Sequence, residues 1–500
     1  MAYVADGALH VTELVGGAGH LLAAPEHDDI SYGLAEHAAA ESMHRFHGYW
    51  WAPDGRRLLA ARVDNAPVQR WWISDPANPE RPPRAVRYPA AGTANADVTL
   101  HVLRLDGSKT EVTWDRGAYE YLATAEWDSR GPLLSVQSRD QRTVLVLAAD
   151  AVTGQTTLLH AERDDAWVEL APGTPVRTSG GDLVIVSDRD GSRRLVVGGA
   201  AVTPDGLHVD SVSGTDGESV YFTATDERDP TKRHLWRYDP GQGLSRCSAD
   251  PGVHDGEAAG GTVVVLSRTE VGSAAAVAWR DGTRAAIASL EAEPLLKPRV
   301  TWLTLGARAL RSALLLPSWY RPGTRLPVLL SPYAGPAMQR VVRVRDAAFC
   351  EDQWFAEQGF AVLVTDGRGT PGRGPGWPTT TWWWRTRSGC QRRCSRPAAR
   401  TRSCRCPAPP TRRPTPTPLA SCSGTSSRSS PSRSASPGPT QALRWSSSRS
   451  VADALAQEER GPVEGLGRLV ERAGDTGTLS SVPGALRSDL ERRHLGLPAG

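Results

Sequence analysis

The feature that most constrains this chain is a long stretch that no globular core can use. From Gly367 to Ala452, 86 residues hold no Asp, Glu or Lys, but they hold 16 Arg, five of the seven Cys, and Trp382-Trp383-Trp384. Arg, Ser, Pro and Thr fill most of the rest. No apolar periodicity runs through it from which a strand or helix could bury one face. A fold must therefore be built upstream. The C-terminal region is expected to be largely disordered, with 377–450 as an Arg/Ser/Pro-rich low-complexity segment. A tail, 451–500, returns to ordinary composition and carries two short amphipathic patterns, at 451–459 and 466–472.

The same stretch distorts the charge. The chain carries a formal +3, yet without those 16 Arg the remainder has 42 basic against 55 acidic residues. The basicity thus belongs to one segment and does not mark a nucleic-acid-binding face. Arg outnumbers Lys 55 to 3, the usage of GC-rich coding DNA. No apolar run approaches the ~18 residues of a membrane helix. The opening Met1-Ala2-Tyr3-Val4-Ala5-Asp6 lacks the basic and apolar regions of a signal peptide. Only Cys247 and Cys350 lie outside the stretch, too few for a disulfide framework. A cytoplasmic protein with no membrane or nucleic-acid partner is the expectation.

Residues 1–290 read as all-β. Asp-Gly turns recur at Asp54-Gly55, Asp106-Gly107, Asp190-Gly191, Asp205-Gly206 and Asp281-Gly282. Such pairs suit tight hairpins, because Gly accepts positive φ and Asp hydrogen-bonds within its own turn. Strand-like runs such as Leu183-Val184-Ile185-Val186 lie between them. Loose repeats of roughly 40–50 residues favour propeller blades over an array of β-sandwiches. One Ala-rich segment, Leu34 to Met43, breaks the rhythm as a helix. From about residue 291 to 376, strands near 313–317 and 326–330, a helix at 349–358 and a strand at 360–365 read as the opening of an α/β domain with a parallel sheet.

Several patterns invite a chemical reading. Tyr333, in Ser331-Pro332-Tyr333-Ala334-Gly335-Pro336 after a buried strand, could aim a hydroxyl at an oxyanion, although spacing alone favours a Tyr packed in a Pro/Gly turn. Asp366-Gly367-Arg368-Gly369-Thr370-Pro371-Gly372 contains Gly-x-Gly-x-x-Gly. Pro371 and the missing downstream acid favour a structural turn over a dinucleotide site, so no cofactor is implied. Glu41, His44 and His47 read as a polar face rather than a metal site. Cys390, Cys394, Cys404 and Cys406 match no zinc-finger spacing. An RNA-binding role for the Arg/Ser segment is the minor alternative. Gly-x-Ser-x-Gly, the nucleophile elbow of α/β-hydrolases, is absent from the sequence.

Taken in order, these residues resemble the dipeptidyl peptidase IV branch of the prolyl oligopeptidase family. The carriers are Tyr32-Gly33-Leu34-Ala35-Glu36 with Glu41-Ser42-Met43, then Gly48-Tyr49-Trp50-Trp51-Ala52-Pro53-Asp54-Gly55. Arg87-Tyr88-Pro89-Ala90-Ala91-Gly92-Thr93-Ala94-Asn95, Pro332-Tyr333-Ala334-Gly335-Pro336 and Asp366-Gly367-Arg368-Gly369-Thr370 follow. The resemblance covers about residues 1–376. It implies a β-propeller, here partial with N-terminal blades missing, followed by an incomplete α/β-hydrolase domain. It also implies a serine-type peptidase that releases dipeptides, often after Pro or Ala, from peptides with a free N-terminus. Homodimers are frequent in the family.

Carried over by position, Glu41 resembles the first of two Glu that grip the substrate's α-ammonium. Ser42 stands where the second would be, and Tyr333 resembles the oxyanion-hole Tyr. The family's catalytic Ser, Asp and His belong beyond residue 376, where nothing matches. That absence has a simple genetic reading. Thr is ACN, Trp is TGG and Arg can be CGN, so Pro378 to Arg385 read one base earlier can give Asp-Asp-Asp-Leu-Val-Val-Ala. A frameshift near codon 376 is expected, leaving a peptidase by ancestry that is inactive as written. A non-catalytic propeller that binds peptides or proteins, with an Arg/Ser-rich interaction tail, is the alternative.

Overall fold

The computed structural model describes residues 1–370 apart from 14–16, 18, 190, 273, 308, 334–337 and 368–369. The low-complexity segment 377–450, its cysteine cluster and the tail 451–500 lie outside the described residues.

Six antiparallel sheets follow one another along the chain. The first holds three strands, Ala2–Ala5, Ala8–Val11 and His20–Ala23. The second holds five, Ile30–Tyr32, Tyr49–Trp51, Arg57–Asp64, Asp97–Arg104 and Lys109–Val112. The other four begin at Tyr121, Val176, Leu207 and Val253, and in each of them every strand pairs with the next. Their unequal spacing is why the repeat looked loose in sequence.

Alternation within the strands gives each sheet two apolar faces, and consecutive sheets share them. Leu9 and Ile30 meet Leu58 and Leu103 between the first and second sheets. Leu59 and Leu100 meet Leu122 and Leu134 between the second and third. Leu133 and Val146 meet Ile185 and Val196, Val184 and Leu195 meet Val209 and Phe222, and Tyr221 and Leu235 meet Ala258 and Val265. Four-stranded sheets stacked face to face in chain order are propeller blades.

Asp54-Gly55, Asp106-Gly107 and Asp281-Gly282 lie in hairpin turns as expected, whereas Asp205-Gly206 links one sheet to the next and Asp190 lies outside the described residues. Asp281 and Gly282 both take positive φ (48° and 76°) and join Arg280 to Thr283 in a two-residue hairpin. One hairpin leaves the second sheet: Arg70–Ile73 pairs with Arg84–Arg87, and Trp71, Trp72 and Ile73 stay exposed on it.

Residues after 287 form a different unit. Strands Val300–Leu305, Leu310–Leu315, Ala361–Thr365 and Val328–Leu330 lie side by side in that spatial order. The first two pairings are antiparallel and the last is parallel. The expected parallel sheet is thus a mixed one. Only four residues link Leu305 to Leu310, which permits a hairpin but not the crossover that parallel neighbours need. Val300–Leu305 was not anticipated, and helix α2 (Ala347–Glu357) starts two residues earlier than read because Asp346 caps it, accepting from the Phe349 backbone at 2.8 Å. Among the described residues no helix is long and apolar enough to cross a membrane.

Residues 339–345 seam the two units together. The Arg343 and Arg345 backbone N–H groups donate to Thr231 O and Thr269 O, each at 2.8 Å. Gln339 Nε2 donates to Pro230 O at 2.7 Å, and Arg343 pairs with Glu270 at 2.9 Å.

A stacked pair, buried His254 and half-buried His234, is expected to give the propeller a pH dependence. His234 and His254 stack with centroids 5.2 Å apart, and His254 is held by Ser267 and the Asp250 carbonyl. Burial, helped by Arg246 and His254, pushes His234 down to about 4. The unfolded chain takes up this proton near ~6.5, so the native state binds fewer protons between those values. Stability present above pH ~6.5 is therefore lost as the pH falls toward 4, a loss that solvent screening of this half-buried ring reduces. Thermal unfolding at pH 7.5 and pH 4.5 should show a smaller drop in Tm for His234→Phe than for the wild type. An equal drop would remove His234 as the cause.

Candidate functional site

The one helix among the described residues of the six blades sits at the candidate site. Between Tyr32 and Tyr49 the chain leaves the second sheet and returns to it, and two glycines pinch the base of this excursion. Gly33 N–H donates to Ala61 O at 2.9 Å, Gly48 N–H donates to Gly33 O at 2.9 Å, and Ala61 N–H donates to Gly48 O at 2.7 Å. A Cβ on Gly48 would stand 2.4 Å from Leu34 O, and Gly33 has φ +79°. Side chains at either position would force the two arms apart.

Leu34 then spends its backbone on a bridge to His47, so the helix is shorter than the 34–43 expected. Helix α1 covers only His37–Ser42. Six residues cannot hold a helix alone in water. Tertiary packing holds this one: Ala39 and Met43 are buried against Ala123 of the third blade, with Tyr121 and Leu170 beside them.

Both ends of α1 are tied by charge. Glu36, the N-cap residue, makes no side-chain cap bond. Its carboxylate instead forms a salt bridge with Arg45, beyond the helix's other end, and both side chains are at least 96 % buried. Arg45 spends its remaining donors on the Leu122 carbonyl (Nε, 3.1 Å) and the His47 carbonyl (Nη1, 3.3 Å). Glu36 Oε1 has no hydrogen-bond partner, and Glu36 is among the residues that line a small cavity of about 20 Å³. Glu120 lines the same cavity, and Asn95 Nδ2 donates to it at 2.9 Å. That volume is room for about one water molecule.

The residues singled out in the sequence fall as follows. Glu41 and Ser42 lie in the last turn of α1 and are exposed. Tyr333 follows the strand Val328–Leu330 and is 39 % exposed. No hydrogen bond among the described residues joins Tyr333 to Glu41 or Ser42. His44 and His47 are exposed, and among the described residues no group of three His, Cys, Asp or Glu is placed to hold a metal. Partial desolvation by its neighbours, then the Arg45 charge, lowers His47 below the usual imidazole range even though its side chain reaches solvent.

Asp366 is a buried acceptor. It is 3 % exposed, and its two oxygens accept from the Arg340 and Val341 backbone N–H groups at 3.0 Å each. Sequence reasoning missed the Glu36–Arg45 pair. The only available signal was two ionisable residues flanking an apolar helical patch.

Propeller blades followed by a mixed sheet, with a short polar helix inserted in one blade, define a two-unit architecture that comparison with known proteins places. The family model described as the dipeptidyl peptidase IV (DPP IV) N-terminal region matches residues 1–257, and this chain belongs to that family. Venom dipeptidyl peptidase 4 of Apis mellifera is 28% identical over 137 residues, 25% of this chain and 18% of that protein. Dipeptidyl peptidase 8 of Homo sapiens is 33% identical over 88 residues, 16% of this chain and 10% of that protein. Inactive dipeptidyl peptidase 10 of Rattus norvegicus is 24% identical over 143 residues, 27% of this chain and 18% of that protein. The aligned parts thus span less than a fifth of these relatives. In fold, the chain is similar to the crystal structure of Porphyromonas gingivalis dipeptidyl peptidase 4. The TM-score is 0.63 and the identity 18%, covering 75% of this chain and 56% of that one.

Proposed function

We propose that this chain descends from serine-type dipeptidyl peptidases and keeps their recognition of a peptide's free N-terminus, while its written sequence cannot carry out the hydrolysis. The observation that carries this reading is the exposed Glu41 at the end of a short helix that is anchored through the buried Ala39, through Met43 just beyond it and through the Glu36–Arg45 ion pair that flanks it. A carboxylate presented in that way favours a charged α-amine, whose pKa lies near ~8. Ser42 offers a hydroxyl without a second charge, so the grip is one charge-assisted hydrogen bond weaker than a Glu pair would make. Tyr333, partly exposed at the carboxyl end of its strand, is suited to donate to an oxyanion. The substrate class is peptides with Pro or Ala in second position.

A purely binding role is the second reading, favoured by the absence of Gly-x-Ser-x-Gly. A relative named as inactive also belongs among the matches.

Recognition of the amine is tested by titrating the full chain with an Ala-Pro-led peptide, free or N-acetylated. The free peptide should bind about tenfold or more tightly at pH 7, the worth of one charge-assisted hydrogen bond. The advantage should vanish above pH ~8 as the ammonium deprotonates, and Glu41→Gln should abolish it at all pH values. Equal binding of both peptides would exclude this function.

A further inference from the structure

We propose that Glu36 and Arg45 are positioning residues for the amine site: their buried ion pair closes a brace across α1 and fixes the place of Glu41. The inference rests on the reading of Glu41 given above.

A six-residue helix gains too little from its own hydrogen bonds to keep one orientation. Its packing on Ala39 and Met43 settles which face is buried. Small apolar contacts of that kind resist sliding and rotation poorly. The brace supplies what packing lacks. Glu36 marks the residue before the helix and Arg45 the third after it, so the salt bridge joins the two ends of the excursion directly. Arg45 then reaches the Leu122 carbonyl, a backbone atom of the neighbouring blade, which makes the third blade the reference for the helix position. Its own backbone N–H returns to the Ala39 carbonyl at 3.2 Å. The planar guanidinium serves Glu36, Leu122 and His47 at once, a geometry that a single ammonium cannot reproduce.

Stability alone is a poor reason for this pair. Two charges taken out of water recover little net free energy, and well-packed apolar side chains of similar volume often do as well or better. Glu36 also leaves Oε1 buried and unpartnered. Such an arrangement is most useful where one geometry must be specified, and the group it specifies here is Glu41.

The test uses the full chain and the ratio of affinities for the free and N-acetylated Ala-Pro-led peptide, with Tm read alongside. Arg45→Lys keeps the charge but cannot bridge three acceptors, and it should lower the ratio from about tenfold to about twofold. The double variant Glu36→Leu with Arg45→Met removes both buried charges, should keep Tm within a few degrees, and should lower the ratio equally. A folded double variant with the wild-type ratio would overturn the inference while leaving the role of Glu41 intact. A wild-type ratio in Glu41→Gln would instead remove the reading beneath it, and the inference with it. Loss of the ratio in all three variants, with Tm retained, is the expected result.

Discussion

Asp366→Ala is expected to destabilise the mixed-sheet unit by about 3–5 kcal/mol, because a buried carboxylate that accepts two backbone N–H groups cannot be removed without leaving both donors unpaired. The residue follows the strand Ala361–Thr365 and is 3 % exposed. Its oxygens hold the Arg340 and Val341 backbones, the start of the strip that seams this unit to the propeller. Val341 is fully buried in the same cluster as Phe349 and Val362, so losing its backbone anchor also loosens its packing. Asp366→Asn keeps one acceptor but turns an N–H₂ toward the other backbone donor, and it should fall between alanine and the wild type. Urea denaturation followed by tryptophan fluorescence reads the change, since Trp302, Trp319 and Trp354 all lie in this unit. Faster proteolytic cleavage within 331–345, with 1–290 uncut, would place the damage at the seam. A loss under about 1 kcal/mol would mean that the two hydrogen bonds are replaceable.

Asp366 also marks how far the sequence could be read. Its motif, Asp-Gly-Arg-Gly-Thr, was legible in the sequence, where a structural turn was the reading favoured over a dinucleotide site. Which N–H groups it serves was not, because they lie some 25 positions earlier on a strip without regular structure. Asp-Gly hairpins were legible because turn chemistry is local, as the φ values of Asp281 and Gly282 show. The face-to-face stacking of blades follows from alternation but not from any single run, and the shared clusters of Leu59 with Leu134 or Val184 with Phe222 emerge only in three dimensions. The glycines of the motif around α1 were visible as letters. Their cause, the close crossing at Gly33 and Gly48, was not. The helix was overextended because alanine propensity outvoted the bridge between Leu34 and His47. Glu36 and Arg45 are nine positions apart across a helix and a left-handed turn at His44, a separation that no periodic rule pairs.

Inserting one base near codon 376, so that the downstream DNA is read one base earlier, is expected to raise peptidase activity from background. Attack by a serine needs the nucleophile, its general base and an oriented partner together, and removing the nucleophile or base costs roughly 10⁴-fold or more in rate. The oxyanion role proposed for Tyr333 would not form or cleave the acyl bond, so it leaves no covalent route by itself. The acid-free composition between Gly367 and Ala452 has a physical corollary. Among the described residues, the edge strand Val328–Leu330 is paired on one side only in the mixed sheet. A restored frame that supplies Asp, Glu and apolar residues could extend the sheet there and bring the nucleophile to its carboxyl edge. The measurement is release of the chromophore from an Ala-Pro anilide by the 500-residue chain and by the frame-restored one, with Tyr333→Phe made in the latter. Background rates from the first, rapid hydrolysis from the second and a loss of about 10²-fold in its Tyr333→Phe variant are the expected results. Turnover by the 500-residue chain, surviving purification and abolished by Glu41→Gln, would defeat the frameshift reading. It would mean that the Arg/Ser segment itself supplies a nucleophile.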